Sequence, residues 1–189
     1  MPSQADALTE LLSRLVGAPV TLVFGLVLLV HIPAGLTCVV TGAVALLSRK
    51  QRGRHPAFGE VYFWALTVVF FTATALAFMR WTESAYLFVL GTIAFAFASV
   101  AYRARKKRWP GWLTVHMVGM SLSYIVLLTA FYVDNGPKLP VWDRLPTIAF
   151  WVGPSIIGLP LLARALLRHG RAASDIRASL RAAAAALST

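Results

Sequence analysis

The 189-residue chain is 58% hydrophobic, with a mean hydropathy of +0.71, and only 13% of its residues are Asp, Glu, Lys or Arg. A soluble domain carries roughly 25% charged residues, so water is excluded as the main solvent. The net charge of +11 sits in short runs between apolar stretches, which makes lipid phosphates, and not nucleic acid, the expected neighbours of the basic side chains.

In chain order, residues 4 to 16 set Leu8, Leu11, Leu12 and Leu15 on one helical face, opposite Asp6, Glu10 and Arg14. That pattern predicts a short amphipathic helix on a membrane surface, within a segment 1–18. It has no basic n-region, so it does not read as a cleavable signal peptide. Five apolar spans follow in 19–167, each near or above the ~20 residues that cross the hydrocarbon. They run Val20–Leu47, Val61–Met79, Ala85–Tyr102, Trp112–Val133 and Thr147–Leu167. The tail, 168–189, aligns Ile176, Leu180, Ala184 and Leu187, with Arg177 and Arg181 beside them, as on a second amphipathic helix resting on anionic lipid. The expected fold is all-α, a five-helix transmembrane bundle with amphipathic helices at both ends and no second domain.

The basic residues set its orientation. Arg49, Lys50, Arg52 and Arg54 follow the first span, and Arg103, Arg105, Lys106, Lys107 and Arg108 follow the third. The tail adds Arg164, Arg168, Arg171, Arg177 and Arg181, while the opposite side has only Arg14, Arg80, Lys138 and Arg144. The positive-inside rule then predicts an N-terminus outside, a cytoplasmic C-terminus, and a multi-pass protein of the cell inner membrane.

Polar groups inside spans are costly and therefore informative. None of the seven acids falls mid-span: Asp6, Glu10, Glu60, Glu83, Asp134, Asp143 and Asp175 sit at ends, loops or tail. This argues against an ion-coupled pump, which needs an intramembrane carboxylate. His31 lies inside the first span, on a face that continues through Ala34, Gly35, Cys38, Gly42 and Ala45. A stripe of small residues lets another helix approach, so His31 is expected to point into the bundle, with Pro33 bending the helix just after it. In the fourth span His116, Gly119, Met120, Ser123 and Tyr124 share one half of the helix. His55 is placed in the loop before the second span and His169 in the basic tail. The single cysteine, Cys38, excludes an internal disulfide and multi-cysteine metal sites.

Several of these residues form an ordered set: His31-Ile-Pro-Ala-Gly35, Gly42, Ala45-Leu46, Arg54-His55 and Gly59-x-x-Tyr62. The second half continues it with His116-x-x-x-Met120-Ser-x-Ser-Tyr124, Thr129-Ala-Phe131, Asn135 and Trp151-x-x-Pro154-x-x-Ile-Gly158-x-Pro160. Over roughly Val30 to Leu162 the chain resembles the bacterial family of predicted membrane proteins DUF2306, a domain of unknown function, from which it departs at Pro56, where a basic residue is expected. The resemblance implies a multi-pass fold and highlights His31, His55 and His116.

Two chemistries and one structural role compete for these residues. Histidines on facing helices, with Met120 as a soft donor, could hold haem b or a metal ion. Depth decides which ones pair. His31 lies 17 residues before Ser48, about 26 Å at 1.5 Å per residue, and His116 only about 6 Å from the inner end of its span. His55 and His116 are therefore the expected pair, with Glu60 or Met120 nearby, and His31 has no partner. Alternatively His31, His116, Ser123, Tyr124 and Cys38 line a cavity for a small or lipophilic molecule in a binder or permease. Or the polar residues only hold helices together, in an accessory subunit that meets a second copy or a partner membrane subunit. Histidine-to-backbone or hydroxyl bonds of that kind contribute roughly 0.6 to 2 kcal/mol. Ser123 and His116 lack an acid and a nucleophile elbow, which argues against a hydrolase.

Overall fold

The computed structural model describes residues 4–16, 21–48, 53–140, 142 and 144–186, with side chains through Arg171 apart from Leu12, Leu15 and Val16. The described residues form helices α1 (Gln4–Val16), α2 (Leu22–Leu47), α3 (Arg54–Met79), α4 (Trp81–Lys107), α5 (Trp112–Asn135) and α6 (Thr147–Ala186), with a 3-10 turn at Gly136–Lys138. No strand occurs among them. The five from α2 onward are long and apolar enough to cross a membrane.

Three helix boundaries differ from the sequence reading. α3 begins at Arg54, so His55 and Glu60 lie in its first two turns and not in a loop. The first turn of a helix tolerates Pro56, because its missing N–H would have had no partner there. α4 starts at Trp81 and runs on to Lys107, which places Arg105, Lys106 and Lys107 in its last turn, where positive charge meets the negative end of the helix dipole. α6 continues unbroken from the last span to Ala186, so the tail helix is an extension of that span. The placement of Ile176, Arg177, Leu180, Arg181, Ala184 and Leu187 on a lipid face lies outside the described side chains. The loop residues Arg49, Lys50 and Arg52 also lie outside the described residues. α2 runs through Pro33 without a break.

Neighbouring helices pack in sequence order from α2 to α6, and a lighter α2–α5 contact closes α2–α5 into a ring with α6 packed chiefly on α5. The seams use different chemistry. Between α3 and α4, flat rings stack: Phe63 on Tyr102 at 4.0 Å and Phe70 on Phe95 at 4.6 Å between centroids. Between α4 and α5 the packing surface is Ala94, Ala98, Ala101 and Ala104, all buried. A Cβ on Gly119 of α5 would come within 2.8 Å of the Ala101 Cβ and of the Phe97 carbonyl. Only small side chains allow backbones to approach this closely, and in lipid such van der Waals contact replaces the hydrophobic drive that water supplies. α1 rests on the end of the bundle away from the Arg105 cluster, where Leu8, with Leu28 and Leu76, packs against Phe24. There the Arg80 guanidinium lies 4.6 Å over the Phe24 ring.

Candidate functional site

α5 carries His116, Met120, Ser123 and Tyr124, and α2 and α3 bring polar partners to it. Ser123 is fully buried and hydrogen-bonds the Tyr62 hydroxyl of α3 at 2.8 Å. The next residue, Tyr124, donates its hydroxyl proton to the Val39 carbonyl of α2 at 2.8 Å. Gly42 makes room for it: a Cβ there would fall 2.4 Å from the Tyr124 ring. Cys38 is fully buried, its thiol 3.9 Å from the Tyr62 carbonyl, and Met120 packs against this same cluster. Ser123, Tyr124 and Cys38 thus sit at the junction of α2, α3 and α5, where Ser123 pairs with the Tyr62 hydroxyl and the other two donate to backbone carbonyls.

His31 has a partner that the sequence did not reveal. Its Nδ1 lies 2.8 Å from the Thr72 hydroxyl of α3. Thr72 donates its single proton to the Val68 carbonyl at 2.7 Å, so it accepts from His31 Nδ1–H. A mid-span threonine that bonds its own helix is common and gives no signal of a second bond. His31 is thereby held away from His116, as the depth difference requires.

His55 and His116 come together at the basic end of the bundle. Their ring centroids are 6.3 Å apart and their planes meet at 89°. His55 Nδ1 donates to the Ala45 carbonyl of α2 at 2.8 Å. A bond of this kind fixes which ring nitrogen carries the proton. His116 stands four residues into α5, with the Trp112 ring 6.5 Å away. Two half-buried imidazoles from α3 and α5 therefore meet beside the end of α2. His169 is on α6, outside this group.

Glu60, which the sequence placed near the pair, is engaged elsewhere. It accepts from the Tyr102 hydroxyl at 2.5 Å, from Arg105 at 3.1 Å and from the Trp64 indole at 3.3 Å. Tyr62, part of the Gly59-x-x-Tyr62 motif, lies two turns beyond His55 on one helical face, but spacing alone does not pair it with Ser123. Among the described residues, no three His, Cys, Asp or Glu side chains gather at one point.

These helices, their apolar exteriors and their interhelical polar bonds define an all-helical, multi-pass membrane protein. Residues 28–154 match the predicted membrane protein family DUF2306, and the chain belongs to that family. Neither a curated protein nor a solved structure matches it.

Proposed function

We propose that the chain is a redox protein of the bacterial inner membrane that holds haem b between His55 and His116. The observation that carries this reading is the imidazole pair, 6.3 Å between centroids, with one ring locked by the Ala45 carbonyl. Ligand number favours haem over a bare ion. A structural zinc site takes four protein donors and a catalytic one three, whereas haem brings its own four nitrogens and would ask the protein for no more than two further donors. His55 and His116 fit that requirement, and Met120, packed into the core, is not needed. Haem bound there would supply one-electron transfer. The chain's own contribution is to hold His55 in the Nδ1–H tautomer, to wall His116 with Trp112, and to keep both rings at one depth.

The basic ends of α4 and α6 support a cytoplasmic placement of this site, with anionic lipid headgroups around it. A second reading, a non-catalytic accessory subunit, has its own support: His31, Tyr62, Ser123 and Tyr124 all spend their polar atoms on interhelical hydrogen bonds.

Absorbance spectra of the detergent-purified chain, oxidised and dithionite-reduced, with elemental analysis of the same sample, separate the two. A Soret band that shifts on reduction, with stoichiometric iron, supports the redox reading. A preparation that stays colourless and iron-free after expression with added haem precursor overturns it in favour of the accessory role.

A further inference from the structure

On the outer face of the bundle, α2 and α3 leave a groove. Ala34 and Ala65 recess its floor, Thr37, Trp64 and Val68 form its sides, and Glu60 closes its basic end. Thr37, Trp64 and Val68 face outward, so the groove is open to the acyl chains of the bilayer along its length. An apolar channel that ends on a carboxylate has a polar requirement at one point only.

The hydrogen bonds of Glu60 define that requirement. Among the described residues, its Oε1 accepts from Tyr102 and Trp64, while Oε2 accepts from Arg105 alone. A carboxylate oxygen has two acceptor positions, so Oε2 has one left for a donor. The Glu60 side chain is 35% exposed, and Lys106 beside it, 3.9 Å from Oε1, is 54% exposed. The mouth of the groove therefore presents, at one depth, an acceptor for a cation and cationic donors for an anion.

We propose that this groove binds phosphatidylethanolamine, with an acyl chain over Ala34 and Ala65, the primary ammonium on Glu60 and the phosphate on Lys106 and Arg105. The charges match in sign and order. Phosphatidylcholine has the same phosphate, but its quaternary ammonium has no N–H to donate. Phosphatidylglycerol supplies an anion but leaves the remaining acceptor of Glu60 facing a neutral hydroxyl. The site is independent of His55 and His116.

The test uses the full chain in mixed micelles with phospholipids brominated on the acyl chain. The readout is quenching of Trp64 emission, taken as the difference between the chain and its Trp64→Phe variant. Phosphatidylethanolamine is expected to quench at about a tenfold lower mole fraction than phosphatidylcholine, the worth of one hydrogen bond to a charged group. Glu60→Gln should bring the two lipids level, and Thr37→Leu, which adds bulk at an outward position, should weaken quenching by both. Equal quenching by the two lipids in the unaltered chain overturns the proposal. So does strongest quenching by phosphatidylglycerol, or a preference that survives Glu60→Gln. If Glu60→Gln does not fold, the headgroup comparison on the unaltered chain and Thr37→Leu decide alone.

Discussion

His55 and His116 face each other edge to plane across the α3–α5 junction, 6.3 Å between centroids, and neither reaches the other histidine of the membrane interior, His31. If the pair holds haem, His55→Ala and His116→Ala should each abolish the reduced-minus-oxidised spectrum, while His169→Ala leaves it intact. His31→Ala should also leave it intact, because that ring is bonded to Thr72. Equal loss from all four substitutions would show a folding defect and not a ligand set.

The Tyr62–Ser123 bond is buried on both sides, so removing one partner strands the other. Tyr62→Phe or Ser123→Ala should each cost about 1 to 3 kcal/mol, read as a lower midpoint in SDS titration of the purified chain. The double variant should cost less than the sum of the two, since no polar atom is left unmatched. Strict additivity would mean that the two hydroxyls do not interact.

Gly119 and Gly91 make a matched pair of glycine positions in helix interiors. A Cβ at Gly119 meets the Ala101 side chain and the Phe97 backbone at 2.8 Å, whereas at Gly91 it meets nothing within 4 Å. Gly119→Ala should destabilise by about 1 to 3 kcal/mol through overpacking. Gly91→Ala should leave the denaturation midpoint level or raise it, as alanine favours the helix by up to about 1 kcal/mol.

Cys38 is fully enclosed, so its thiol should resist maleimide in the folded, detergent-purified chain and react within minutes after SDS denaturation. Rapid labelling before denaturation would mean that the α2–α3–α5 junction opens.

A C-terminal reporter fusion tests the orientation. Fluorescent-protein fusions at Thr189 should be bright and alkaline-phosphatase fusions inactive, as a cytoplasmic C-terminus requires. The reverse outcome would place the His55–His116 end on the far side of the membrane.

Hydropathy and charge spacing were enough to read the spans, because a helix in lipid must be apolar over a fixed length. Their ends were harder. Arg54, His55 and Pro56 look like loop residues, yet a first helical turn accepts a proline and charged groups, and so α3 starts earlier than its apolar run. The meeting of His55 with His116 followed from depth alone. The partner of His31 did not, since Thr72 differs in no visible way from the other span threonines. The engagement of Glu60 by Tyr102 and Arg105 was equally hidden, because it depends on which face α4 turns to α3, and α4 is apolar nearly all round.

The join between α3 and α4 has a bearing on topology. A single residue, Arg80, ends one helix and caps the next, and one residue cannot bridge a hydrocarbon layer ~30 Å thick. The end of α3 and the start of α4 are therefore tied to the same face of the bilayer, so once α3 is oriented the direction of α4 follows from the length of the join and not from its own flanking charges.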